Sequence, residues 1–327
     1  MTLNAEQISD MTLNAEQISD MSVAVLVPCF NEAATVAKVV ADFKLALPNA
    51  TVYVYDNNSK DDTSAIALAA GAVVVPEFLQ GKGNVVRRMF SDIEADVYVM
   101  VDGDATYDAK AAPDMVQLLV DKNLDCVNGV RRSTAFEAYR QGHEFGNWML
   151  TTIVSKLFGR VTKDMLTGYR VFSHRFVKSF PVASTGFEIE TELTVHSLEL
   201  RMRSEDVDTE YGARPEGSVS KLSTYKDGFK ILWMIFKLIK LERPSMFFNT
   251  FAIIAALFSL GIFVPVLIEY LDTGLVPRLP TAILSGLMMS LAILSVICGL
   301  ILTSVTQGRR EAKQLAFLAT SRYFSKQ

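Results

Sequence analysis

The chain has 327 residues, 50% of them hydrophobic, with a formal net charge of -4 and a mean hydropathy of +0.24. That balance excludes a disordered chain and is too apolar for an ordinary soluble protein, so a membrane part is expected. The acidic charge gives no footprint for nucleic acid, and Cys29, Cys126 and Cys298 show neither a disulfide framework nor a metal spacing. His143, His174 and His196 lie too far apart in the chain to suggest zinc or a nucleophilic triad.

Met1 to Asp10 is repeated letter for letter as Met11 to Asp20, so residues 1–21 read as a duplicated, tag-like segment and are set aside from the fold. Ser22 to Pro28 is the first expected strand. Cys29-Phe30-Asn31-Glu32 then leads into a helix whose apolar residues Val36, Val39, Val40 and Phe43 recur at helical spacing. Thr51 to Tyr55 is a second strand with exit loop Asp56-Asn57-Asn58-Ser59, followed by an Ala-rich helix through Ala70. Ala72 to Val75 is a third strand, and Gly81-Lys82-Gly83 opens a helix that runs past Phe90. Val97 to Val101 is an unbroken apolar run ending in Asp102-Gly103-Asp104, which reads as a strand buried on both faces. This alternation implies an α/β domain with a mainly parallel sheet, whose ligands gather at the carboxyl ends of the strands. A carboxylate pair there can hold a divalent cation with positions left for phosphate oxygens.

Taken alone, Gly81-Lys82-Gly83 is neither a Walker A loop nor a dinucleotide fingerprint, and Asp56 reads as a helix cap as readily as a ligand. The ordered set Pro-Cys-Phe-Asn-Glu, Tyr-Asp-Asn-Asn-Ser, Gly-Lys-Gly and Asp-Gly-Asp, however, resembles the inverting family 2 glycosyltransferases of GT-A fold. That resemblance implies donor binding by Pro28, Asn31, Glu32, Asp56, Lys82, Asp102 and Gly103, and Mg2+ or Mn2+ on Asp102 and Asp104, with Asp104 counted as catalytic.

Asp125 to Val130 reads as a further strand ending in Arg131-Arg132. Beyond it come an amphipathic stretch with Arg140 and Trp148, then Asp164-Met165-Leu166-Thr167-Gly168-Tyr169-Arg170, Gly186 to Leu193 and Arg214 to Lys221. Arg131, Arg140, Arg170, Arg214 and Lys221 fall in or beside expected loops, and guanidinium forks suit a phosphate ester. The stretch resembles the acceptor half of dolichyl-phosphate mannose synthases and undecaprenyl-phosphate glucosyltransferases, which implies that these basic residues hold a lipid phosphate. It also makes Asp164 a catalytic carboxylate, as a base or as an orienter of an arginine. The metal motif continues Ala105-Thr106-Tyr107-Asp108, without the glutamine usual in mannose synthases, which favours a UDP-sugar over a GDP-sugar.

Lys226 to Arg243 mixes lysines with Phe229, Trp233 and Phe236 and reads as an interfacial amphipathic helix. Pro244 to Ile268 and Leu279 to Gly308 carry no charge and exceed the roughly 20 residues that span a bilayer. The expected division is therefore 1–21, a GT-A domain over 22–225, the interfacial helix over 226–243, two transmembrane helices within 244–308 and a basic tail over 309–327. Arg309, Arg310 and Lys313 against the single Arg278 in the turn put the catalytic domain on the cytoplasmic face of the cell membrane. The expected activity is inverting transfer of a sugar to undecaprenyl or dolichyl phosphate, and a homo-oligomer is compatible with the sequence. Two alternatives remain open: transfer to a lipid or glycan hydroxyl, with Glu188, Glu190 or Asp164 as base, and an inactive scaffold that binds a nucleotide-sugar.

Overall fold

A computed structural model describes residues 21–133, 152, 162–182, 186, 188–212, 233, 236, 240–241 and 243–323. The chain divides into two units, one running to Gly228 and resuming at Lys313, the other covering Phe229–Ala312.

The first unit begins with β1 (Val23–Cys29), α1 (Val36–Ala46), β2 (Thr51–Asp56), α2 (Thr63–Ala69), β3 (Val73–Pro76), α3 (Lys82–Asp92) and β4 (Val97–Met100). It continues with α4 (Ala112–Asp121), β5 (Cys126–Ser133), β6 (Arg170–Ser173), α5 (His174–Ser179), α6 (Ile189–Glu199) and β7 (Ser204–Tyr211). The strands form one sheet in the order β3-β2-β1-β4-β6-β5-β7, in which only the pairings of β6 with β4 and β5 are antiparallel.

Alternation along the central strands explains the layers. Val25, Val27, Val97 and Val99 enter one core with Val36, Val39, Val40 and Phe43 of α1. Ala24, Leu26, Tyr98 and Met100 face the other, with Val85, Val86 and Met89 of α3 and with Phe172 and Phe176. All four residues of β4 are buried, as its apolar run requires, because helices cover both faces of the sheet. Each such aliphatic side chain contributes about 1.5–3 kcal/mol of burial.

The reversed strand sets the geometry of the site. Met100 pairs with Arg170 across β4 and β6, so β6 starts where β4 ends. The segment just before β6, Thr162 to Tyr169, therefore lies against the exit of β4. Sequence reading placed β1 to β5 to within three residues at either end but missed β6 and β7.

In the second unit, α7 (Pro244–Thr273) ends at Gly274, whose φ of 68 lets its N–H close on the Tyr270 carbonyl at 2.8 Å. It packs on α8 (Leu279–Ala319) through Ala252, Ala255 and Ala292, and the Ser259 hydroxyl donates to the Ser285 carbonyl at 2.7 Å. Both helices are long and apolar enough to cross a membrane. The helix does not stop at 308: α8 continues to Ala319, and its last residues belong to the first unit. There Lys313 pairs with Glu199 at 2.8 Å, Phe317 lies under the Arg175 guanidinium, and Arg322 donates to the Leu124 carbonyl. The basic tail is thus partly a structural element of the first unit.

Candidate active site

Four strand exits meet at one edge of the sheet. Register places Cys29 beside Asp56 and Asp56 beside Pro76, and hydrogen bonds lock the loops that follow. Asn31, at φ 53 in the left-handed region that asparagine tolerates, donates its N–H to Ser59 Oγ and accepts from the Lys60 N–H through Oδ1, each at 2.8 Å. The Glu32 N–H donates to Thr63 Oγ1 at 2.9 Å. Asp56 accepts from the Ser59 N–H at 3.1 Å and from the hydroxyls of Ser59 and Ser64. Buried Asn57 ties in the next loop, donating to the Leu79 carbonyl at 2.7 Å and accepting from the Gly81 N–H at 2.6 Å. Gly81 has φ 125, a conformation that glycine adopts freely, and it delivers Lys82 as the first residue of α3.

At the exit of β4 the Gly103 backbone lies against the Cys29 and Thr35 side chains. A Cβ on Gly103 would lie 2.6 Å from Cys29 Sγ, and the Gly103 carbonyl accepts from Thr35 Oγ1 at 2.7 Å. Buried Asp104 accepts from Thr106 Oγ1 at 2.6 Å. Between them Ala105 has φ 56, a strain of about 1–2 kcal/mol for a residue with a Cβ, held in place by that bond. Asp102 Oδ1 pairs with Lys82 Nζ at 2.5 Å, and the same ammonium meets Glu190 Oε1 at 2.6 Å. Burial opposes the charge on Lys82, yet the two carboxylates outweigh it and hold its pKa above the ordinary lysine range. Gly168 packs on Asp102 so closely that a Cβ there would lie 2.3 Å from Oδ2, and its N–H donates to the Tyr107 hydroxyl at 2.9 Å.

Beside this lies a second cluster. Arg131 forms a two-bond pair with Asp164, Nε to Oδ2 at 2.6 Å and Nη2 to Oδ1 at 2.9 Å, and its guanidinium is 5.5 Å from the centre of the Tyr211 ring. Burial raises the cost of ionising Asp164, but the Arg131 bonds and charge prevail and hold the carboxyl below its usual range. In this geometry Asp164 fixes the orientation of the Arg131 guanidinium.

The placement corrects one expectation. Arg170 is 1% exposed, and its guanidinium donates to the carbonyls of Thr167, Met165 and Glu190 and to the Thr194 hydroxyl. A fork spent on backbone in the core does not meet an acceptor phosphate; Arg170 fixes the loop before β6 to the start of α6. Arg140, Arg214 and Lys221 lie outside the described residues, as do the N-terminal repeat and most of the expected interfacial helix. Asn57, Tyr107 and the pairing of Glu190 with Lys82 escaped sequence reading. The only cue for the last was three acids in Glu188-Ile189-Glu190-Thr191-Glu192, and burial alone distinguishes among them.

Asp102 and Asp104 offer hard oxygen donors, and no group of three or more His, Cys, Asp or Glu suited to a metal occurs among the described residues. A divalent cation there would draw its other ligands from a diphosphate, and one or two carboxylates with substrate phosphates is how Mg2+ is ordinarily held. The donor set fits the ion.

A mainly parallel sheet with one reversed strand, carrying Asp-Gly-Asp at the exit of its central strand, defines the GT-A class of nucleotide-sugar transferases. Comparison with known proteins agrees. The family profile described as Glycosyl transferase family 2 matches residues 24–180. Glycosyltransferase AglJ of Haloferax volcanii is 32% identical over 255 residues, 76% of this chain and 82% of that protein. Protein RfbJ of Shigella flexneri is 53% identical over 123 residues, 37% of this chain and 95% of that protein. Among solved structures, glucosyl-3-phosphoglycerate synthase of Mycobacterium tuberculosis in complex with Mn2+ and UDP-glucose has a TM-score of 0.55 at 20% identity, over 73% of this chain and 83% of that one. The chain belongs to glycosyltransferase family 2 and is an enzyme that uses a nucleotide-sugar.

Proposed function

We propose that the enzyme transfers a sugar, from a UDP-sugar in preference to a GDP-sugar, to a polyprenyl phosphate at a membrane surface, with inversion at the anomeric carbon. The observation that carries this reading is the state of the carboxylates: Asp164 is locked to Arg131 and Glu190 to Lys82, while Glu188 is exposed. A hydroxyl acceptor needs a base. A phosphate monoester has a second pKa of about 6 and attacks as a dianion without one. Two apolar helices in the same chain suit a lipid acceptor.

In this reading Pro28, Asn31, Glu32 and Asp56 line the nucleotide pocket, and Asp102 and Asp104 hold Mg2+ or Mn2+ on the diphosphate. The ion supplies charge stabilisation for the departing nucleoside diphosphate. The M. tuberculosis synthase crystallised with Mn2+ and UDP-glucose supports a divalent cofactor and a uridine nucleotide. Lys82 adds positive charge beside the leaving group, and Arg131, aimed by Asp164, meets the acceptor phosphate with Arg140, Arg214 and Lys221. Two spans return the chain to the side it left, and Arg309, Arg310 and Lys313 in the last part of α8 favour the cytoplasmic face for the catalytic domain.

The test is a panel of UDP- and GDP-sugars with undecaprenyl phosphate, dolichyl phosphate and the corresponding free polyprenols, each with Mn2+ or Mg2+. Labelled lipid is expected from a phosphate acceptor alone. Transfer to the free polyprenol at an equal rate replaces this reading with the hydroxyl-acceptor one.

A further inference from the structure

Lys82 is 8% exposed at its side chain and holds two carboxylates at once, and the reading above engages only one of them. Asp102 belongs to the metal. A divalent cation held by Asp102 would repel the ammonium paired with the same carboxylate and loosen that pair. Were Asp102 its only partner, the exchange would leave a buried ammonium with no counter-charge, which is strongly unfavourable. Glu190, itself 7% exposed at its side chain, removes that obstacle.

Glu190 is also fixed in place. Its carbonyl accepts from Arg170 Nη2 at 3.1 Å and from Thr194 Oγ1 at 3.1 Å, and Arg170 binds Met165 and Thr167 as well. The element before β6 therefore presses Gly168 onto Asp102 while Arg170 sets the position of Glu190. Lysine suits the exchange, because its three donors rotate about a point charge, whereas a guanidinium fork favours one planar partner.

Resting on the donor reading above, we infer that Glu190 is a positioning residue for Lys82: it retains the ammonium when the divalent cation takes Asp102, so that Lys82 turns from Asp102 to the diphosphate.

The experiment measures Mn2+ affinity in the presence of UDP or GDP, by electron paramagnetic resonance on the full chain, for wild type, Glu190→Gln, Lys82→Met and the double variant, alongside thermal melting. Glu190→Gln keeps the shape and removes the charge. Lys82 is then left with Asp102 as its one counter-charge and competes with the metal, so Mn2+-nucleotide affinity is expected to fall tenfold or more. In the Lys82→Met background the same substitution is expected to change affinity less than twofold and to raise the melting temperature, because it removes the carboxylate that Lys82 no longer balances. A merely structural role predicts equal losses in both backgrounds and overturns the inference. So does Glu190→Gln that binds Mn2+-nucleotide as wild type does but fails to turn over, which would make Glu190 a group acting on the reactants. Wild-type protein that binds neither Mn2+-UDP nor Mn2+-GDP overturns the donor reading itself, and the inference with it.

Discussion

The two ion-pair clusters at this edge of the sheet are built for different work. Lys82 is a point charge shared by Asp102 and Glu190, so it can release one and keep the other. Arg131 is held by two bonds to a single carboxylate, Asp164, with Tyr211 against its face, an arrangement that fixes orientation. The first cluster is suited to exchange partners as ligands arrive and leave. The second presents one guanidinium in one pose. Arg170 shows a third use of the same chemistry, a cation turned inward to hold backbone.

The sharpest way to break the comparison is at the metal. Asp104→Asn retains an oxygen for the Thr106 hydroxyl but loses the charge, and transfer is expected to fall about a thousandfold, ~4 kcal/mol, with the circular dichroism spectrum unchanged. Excess EDTA is expected to abolish transfer by wild type. Turnover that survives both treatments would remove the metal from the first cluster.

Arg170 comes next, because its loss acts on the fold. Arg170→Met strips buried carbonyls of their donors at about 1–3 kcal/mol each, so a total near 3 kcal/mol and a melting point lower by roughly 6–12 °C are expected. Acceptor KM in the surviving folded protein is expected to change little. A raised KM with an unchanged melting point would return Arg170 to the acceptor site.

The fate of Arg170 illustrates what the sequence can convey. The edge where β1 to β4 end was legible because strand, exit loop and helix follow one another locally: the apolar run to Val101, the acids after it and Gly81-Lys82 each fall where a parallel sheet collects its strand ends. The other half depends on β6, whose reversal is a long-range pairing with Met100 and leaves no periodic mark. β7 is the edge strand Ser204–Tyr211, mostly half-buried, and its acidic residues hide the alternation. In α6 Ile189, Glu190, Thr191, Leu193, Thr194, Val195 and His196 are all buried, so no apolar stripe announces a helix. An arginine before an apolar Val-Phe reads as a loop cation until the strand pairing turns it into the core.

Arg131 tests the second cluster directly. Arg131→Lys keeps the charge and loses the fork, and kcat/KM for the lipid phosphate is expected to fall about tenfold, ~1.4 kcal/mol, with nucleotide affinity unchanged. An equal loss in nucleotide affinity would assign Arg131 to the donor side and merge the two clusters.

The smallest effect separates an orienter from a base at Asp164. Its native pKa is lowered because the Arg131 bonds and charge outweigh burial, so the stability it contributes is present above the ordinary aspartate value near 3.9 and is lost as pH falls through the lowered native value. The stability difference between wild type and Asp164→Asn, followed by denaturant melts, is therefore expected to stay constant from about pH 5 to 8. It is expected to shrink only below about pH 4, where Asp164 takes up a proton and Arg131 loses its counter-charge. A difference that instead changes near neutral pH means a raised native pKa, the property of a general base, which an acceptor phosphate does not need and a hydroxyl does. That one curve would then move Asp164 from aiming Arg131 to removing a proton, and the acceptor from phosphate to alcohol.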